Sequence, residues 1–180
     1  MSMIQQARDF AKDAHSDQMY GIHPYFFHLE SVRAIVEDYG QSAQIVGLLH
    51  DVLEDTDVEL GEIQEVFGAG IAMKVALVSD PEGSSRKHRK AAFYARLAYL
   101  PADGFADVFI VKLADRLSHF IQMKNTGDHK MLKMYLNEHE QFKSGVYRNY
   151  AKALQDHIEV LVKELGGMDG EDLPLGPVIV

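Results

Sequence analysis

No cysteine occurs anywhere in the chain, which removes disulfide frameworks and thiolate-type structural zinc from consideration. Basic residues are scarce beside acidic ones, 18 Lys and Arg against 27 Asp and Glu, for a formal net charge of −9. That balance argues against nucleic acid or an anionic membrane as the main partner, although a local cluster of cations can still hold a small anion. Long apolar runs are also missing. Residues 45–53 and 105–117 are too short or too interrupted for the roughly 20 residues of a bilayer-spanning helix. The opening Met1-Ser2-Met3-Ile4-Gln5-Gln6 lacks the basic and apolar regions of a secretory signal, so a cytoplasmic location is expected. Linker-like stretches rich in proline, glycine and serine are absent from the interior, as are repeats, low-complexity segments and strand-like alternation. A chain of 180 residues is long enough for one core of ordinary size.

What is present is helical periodicity. Ile4, Ala7, Ala11 and Ala14 recur at three- and four-residue spacing, the stripe of a core-facing helix over 3–15. Further helices are expected over 27–39, closed by Gly40, and over 42–54, 60–67, 71–79, 86–99, 106–124, 130–143 and 147–165. The expectation is an all-α, single-domain bundle over residues 1–165, followed by an extended or disordered tail over 166–180.

Chemistry concentrates in His50-Asp51-Val52-Leu53-Glu54-Asp55. Read as one continuous helix, this stretch places His50 over Glu54 and Asp51 over Asp55. Four polar groups then crowd the end of an apolar segment, and desolvating carboxylates costs roughly several kcal/mol each unless a cation compensates. Two other elements supply matching residues: His28, within Pro24-Tyr25-Phe26-Phe27-His28-Leu29, and Asp115, set in the apolar run Lys112-Leu113-Ala114-Asp115-Arg116-Leu117. His28, His50, Asp51 and Asp115 together form a two-imidazole, two-carboxylate set suited to a first-row divalent ion. Mn²⁺ is the expected ion, with Fe²⁺, Co²⁺ and Zn²⁺ compatible with the same donors. Glu54 is placed to accept a proton from an attacking water. Asp55 shares that role or steadies a ligand histidine.

The order of these motifs resembles the HD-domain metal phosphohydrolases. The words PYFFHL, LLHDVLEDT and VKLADRL resemble the hydrolase domain of the RelA/SpoT family, particularly its single-domain members, the small alarmone hydrolases. The resemblance spans roughly residues 4–150. It implies Mn²⁺-dependent removal of the 3′-pyrophosphate from guanosine alarmones such as ppGpp, with His28, His50, Asp51 and Asp115 as ligands and Glu54 and Asp55 as the acidic pair serving the water.

Substrate contacts are expected elsewhere. Arg86, Lys87, Arg89 and Lys90 form the one dense basic run, following the turn Asp80-Pro81-Glu82-Gly83. A helix starting there offers free N–H groups to an anion, while its cations oppose the helix dipole. An anionic ligand would reconcile the two. Lys112 lies three residues before Asp115 on the same face. Two positions depart from the family pattern: Tyr20-Gly21 stands where a basic pair is usual, and Ser118-His119 where the motif ends in His-Asn. Tyr20 can stack on a purine, and His119 is a substrate contact, a proton donor or a satisfied core histidine. The hydrolytic centre thus reads as intact and the nucleoside pocket as altered. Hence a second enzymatic reading, another phosphorylated nucleotide such as ppApp, a nucleoside monophosphate or the 2′-phosphate of NADPH, stands beside the first. A non-catalytic nucleotide sensor is the third.

Overall fold

The expected helical architecture is found. In the computed structural model, residues 1–101, 103–149 and 151–167 are described, and they form a helical bundle with one minimal hairpin. Helix α1, Met3–His15, starts at Ser2, whose hydroxyl accepts from the Gln5 amide at 3.2 Å. It buries Ala7, Ala11 and His15. Strands β1, Met19–Tyr20, and β2, His23–Pro24, pair antiparallel. Gly21 makes their turn at φ +65°, a conformation open to glycine at little cost. The all-α expectation holds beside these strands, which at two residues each are too short to display alternation.

Helix α2, Phe26–Ile35, leads through a 3₁₀ turn, Glu37–Tyr39, into α3, Gln41–Leu49. The predicted helix over 27–39 thus ends early. Helix α3 is buried nearly all round, through Ala43, Ile45, Val46, Gly47, Leu48 and Leu49, as befits a helix at the centre of a bundle. Helix α4 is a single turn, Val52–Asp55. The expected helix over 42–54 is therefore interrupted at His50 and Asp51. Helices α5, Leu60–Phe67, and α6, Ala69–Val78, follow. Helix α7, Arg86–Ala98, is capped by Ser85, whose hydroxyl accepts from the His88 amide at 3.3 Å.

Helix α8, Ala106–Thr126, is the longest and the second central element, and it closes at Gly127 in the left-handed region. Its register brings Lys112, Asp115, Ser118 and His119 to one side, facing α2 and α3. Helix α3 packs on α1, α2, α6 and α8, while α8 also packs on α11. The expected helix over 130–143 is split at Glu138 into α9, His129–Asn137, and α10, His139–Val146. Helix α11 spans Lys152–Gly166, starting later than the predicted 147. Its last turn includes Gly166, where the tail was expected to begin. The rest of that tail, from 168 on, lies outside the described residues. No described helix is long and apolar enough to cross a membrane.

Candidate metal centre

His28, His50, Asp51 and Asp115 meet between α2, the α3–α4 junction and α8. His28 Nε2 lies 3.5 Å from both Asp51 Oδ2 and Asp115 Oδ1, and His50 Nε2 lies 3.0 Å and 3.7 Å from the same two oxygens. Donor atoms bound to one small ion at about 2.0–2.2 Å would stand about 3.0–3.5 Å apart at adjacent positions, close to these spacings. His28 Nε2, His50 Nε2 and Asp115 Oδ1 are buried without a hydrogen-bond partner. Three orphaned polar atoms aimed at one point are costly unless something fills it, and a divalent cation fits the donor set.

Each ring is held from behind. His50 Nδ1 lies 2.8 Å from the Gly47 carbonyl, and His28 Nδ1 lies 3.3 Å from the Ser118 hydroxyl. Such partners fix which ring nitrogen faces the carboxylates. The break between α3 and α4 orients His50 and Asp51: Asp51 sits at φ −103°, ψ −4°, in the bridge region between helix and strand. Its carbonyl still accepts from the Glu54 and Asp55 amides, at 3.0 Å and 2.9 Å. The departure from one regular helix lets His50 and Asp51, adjacent in sequence, converge on one point.

Electrostatics match that assignment. Burial pushes the His50 imidazolium down, but the facing Asp51 and Asp115 carboxylates outweigh it and raise it to about 10. Burial opposes ionisation of Asp51, yet His50 and His28 hold its carboxyl well below the usual range. Lys112 Nζ lies 3.1 Å from Asp115 Oδ2. Though buried, it stays charged, because Asp115 and Glu54 more than offset its desolvation.

Tyr25, overlooked in the sequence, joins the two acidic motifs: its hydroxyl is 2.7 Å from Asp51 Oδ2 and 2.8 Å from Asp55 Oδ2. Its position three residues before His28, one helical turn away, was the available signal. Glu54 Oε1 accepts from the Asp80 amide at 2.8 Å. Desolvation raises its carboxyl above the ordinary value against the pull of Lys112. The basic run divides. Arg86 and Lys90 line a narrow cavity with Lys112, Asp115, Arg116 and Tyr135. Arg86 is paired with Glu138 at 2.8 Å and Lys90 with Asp80 at 2.9 Å. Lys87 is exposed, Arg89 lies over Gly83, and neither lines the cavity. Arg116, also missed, donates to the Tyr135 carbonyl at 2.5 Å beneath that residue's ring. Tyr20 bonds through its hydroxyl to His119 Nδ1. One side of Tyr20 also lines a cleft of about 340 Å³ with Met19, Gln122, Met123, Asp128 and Met131.

The HD domain family profile matches residues 7–142. A guanosine-3′,5′-bis(diphosphate) 3′-pyrophosphohydrolase of Spiroplasma citri is 40% identical over 124 residues, 63% of this chain and 16% of that protein. The guanosine-3′,5′-bis(diphosphate) 3′-pyrophosphohydrolase MESH1 of Danio rerio is 25% identical over 176 residues, 92% of this chain and 95% of the relative. Among solved structures, a metazoan orthologue of SpoT that hydrolyses ppGpp matches with a TM-score of 0.80 at 20% identity, over 93% of this chain and 98% of that one. The chain spans about a sixth of the length of the first two bacterial relatives and nearly all of the Danio rerio protein. Motif order, helical architecture and the family profile converge on the same segment: the chain belongs to the HD domain family and is homologous to the guanosine-3′,5′-bis(diphosphate) 3′-pyrophosphohydrolases.

Proposed function

We propose that this chain removes the 3′-pyrophosphate of guanosine 3′,5′-bis(diphosphate), with Mn²⁺ held by His28, His50, Asp51 and Asp115. The observation that carries the reading is the convergence of two buried imidazoles and two carboxylates from α2, the α3–α4 junction and α8, with three of their polar atoms unpartnered. Names of the relatives supply the substrate class. When bound, the ion supplies Lewis acidity and lowers the pKa of a water. The protein's own groups perform the rest. Glu54, anchored by the Asp80 amide, takes the proton of the attacking water. Asp55 holds Tyr25, which in turn steadies Asp51. The water oxygen bonds to the nearer phosphorus of the 3′-pyrophosphate, the bond from phosphorus to the ribose 3′-oxygen breaks, and a proton returns to that oxygen. Lys112, Lys90 and Arg86, which share one cavity beside Asp115, offset the charge of the departing pyrophosphate.

The nucleoside is assigned to the cleft beside Tyr20. Asp128 on its wall favours a base with two adjacent N–H donors on one edge, as guanine has at N1 and N2, over adenine, whose N6 amino group stands beside an acceptor nitrogen. One carboxylate oxygen of Asp128 caps α9 by accepting from the Met131 amide at 2.9 Å, which holds the side chain in place. The apolar Met19, Met123 and Met131 suit the flat faces of a purine. Glu54 beside the ligand set favours catalysis over sensing, since a sensor needs no base there.

The test is release of pyrophosphate or orthophosphate from ppGpp, ppApp and NADPH with Mn²⁺ and with EDTA. Metal-dependent pyrophosphate from ppGpp is expected, and orthophosphate or turnover of another nucleotide alone overturns the substrate assignment. Asp115→Ala is expected to lose metal and activity together. Glu54→Gln should keep the metal and slow turnover by about 10²–10⁴-fold. An unchanged rate in that variant moves the base to Asp55.

A further inference from the structure

His119 follows Asp115 by one helical turn and faces the same centre. Its Nε2 lies 3.1 Å from Asp115 Oδ1, and its ring stacks on that of His28 with centroids 4.8 Å apart and 25° between planes. One donor atom from each of His28, Asp115 and His119 falls within 4.8 Å of the others. This second triad shares His28 with the triad of His28, His50 and Asp51. The approach of His119 Nε2 to Asp115 Oδ1 is as close as that of His50 Nε2 to Asp51 Oδ2, 3.1 Å against 3.0 Å.

The back of the ring completes the comparison. Three imidazoles present Nε2 to the Asp115 carboxylate, and each has its Nδ1 engaged elsewhere: His50 by the Gly47 carbonyl, His28 by Ser118 and His119 by the Tyr20 hydroxyl. That is the arrangement of ligating histidines, whose outer nitrogen is held to fix the tautomer and orientation of the ring. The two positions where the sequence departs from the related motif, Tyr20 in the hairpin and His119 on α8, are the two that bond to one another. They form a matched pair across 99 residues of sequence.

We propose that His119 Nε2 is a third imidazole ligand of the metal, held in register by Tyr20, so that the centre offers three nitrogens and two carboxylates. The inference rests on the metal-centre reading given above. With the ion bound, the remaining ring proton of His119 sits on Nδ1 and points to the Tyr20 oxygen. A third neutral nitrogen shifts preference towards imidazole-seeking ions such as Co²⁺ and Zn²⁺, relative to Mn²⁺.

The test loads the full chain with Co²⁺ and records proton NMR in water, where exchangeable ring N–H protons of ligating histidines appear as strongly shifted resonances. Three such signals are expected for the parent and two for His119→Asn and for His119→Gln, with Co²⁺ affinity weakened at least about tenfold. Tyr20→Phe should keep three signals but speed the solvent exchange of one; unchanged exchange removes Tyr20 from its role. Two signals in the parent, untouched by either His119 variant, overturn the proposal while leaving the four-ligand centre standing. Absence of bound Co²⁺ with no shifted signals overturns both.

Discussion

Tyr25 places a single phenolic proton between two carboxylates, Asp51 and Asp55. One of those acids is a proposed ligand, and the phenol limits how its charge and lone pairs are presented. Tyr25→Phe removes the hydroxyl but keeps the ring, which stacks on His15 with centroids 4.6 Å apart. The fold should persist while divalent-metal affinity falls by about 10–100-fold, the usual effect of losing a group that holds a ligand. Calorimetric titration of the metal-free protein measures this, and an unchanged affinity would leave the aim of Asp51 to the two histidines alone. Lys90 is the second residue with a defined consequence. Burial, then the nearby Lys112, lower its ammonium below the ordinary value, against the pull of Asp80. Only the charged form attracts phosphate. The KM for a phosphate-rich substrate should therefore rise as pH climbs through that depressed value, and Lys90→Arg should flatten the rise. At this scale the meeting of His28, His50, Asp51 and Asp115 was legible because imidazole and carboxylate amid apolar residues have few other reasons to be there. Tyr25 was not, since an aromatic beside Phe26 and Phe27 reads as core.

Among elements, the helix expected over 42–54 and observed as α3 and α4 is instructive. Nothing in its composition announces a break: no proline lies within it, and Gly47 lies inside α3. The interruption falls at His50 and Asp51, the two residues that face His28 and Asp115, a long-range relation that local composition does not express. The split at Glu138 has a related origin. Its carboxylate accepts both from Arg86 Nε at 2.8 Å and from Arg86 Nη2 at 3.0 Å, a long-range pairing that periodicity cannot show. That bond also discharges part of the cation excess at the start of α7. The α7–α10 contact depends on Gly145: a Cβ built there would lie 2.7 Å from Tyr94 Cδ1 and 2.9 Å from Tyr94 Cβ. Tyr94 Cβ cannot be rotated away. Gly145→Ala should therefore destabilise the protein by about 1–3 kcal/mol through overpacking, read as a lower urea midpoint at unchanged slope. Helices α1, α5 and α7 were found at or near their predicted bounds because capping residues and apolar stripes are local signals.

For the molecule as a whole, the proposed ion ties together α2, the α3–α4 junction and α8, segments widely separated in sequence. A ligand that binds the folded chain alone stabilises it, by about 2.7 kcal/mol at a hundredfold excess over its Kd. For a chain of this length that corresponds to about 5–11 °C in Tm. Divalent metal should raise Tm by that order, EDTA should reverse it, and Asp115→Asn should abolish the response; equal melting with and without metal would sink the centre. Bundle class was legible from sequence, since helical periodicity and the lack of alternation are global properties. The packing of α8 against α2 and α3 was not, because no local pattern states which faces meet. One further consequence lies in the hairpin. Its strands are two residues long, and an isolated hairpin is marginal in water. Yet it carries Tyr20, and Gln18 just before it donates to the Asp55 carbonyl. An ion seated behind such an element need not wait for the helices to come apart before escaping. Its residence time is set by hairpin fraying, so exchange with chelator should run far faster than global unfolding and should scarcely respond to substitutions in the distant core.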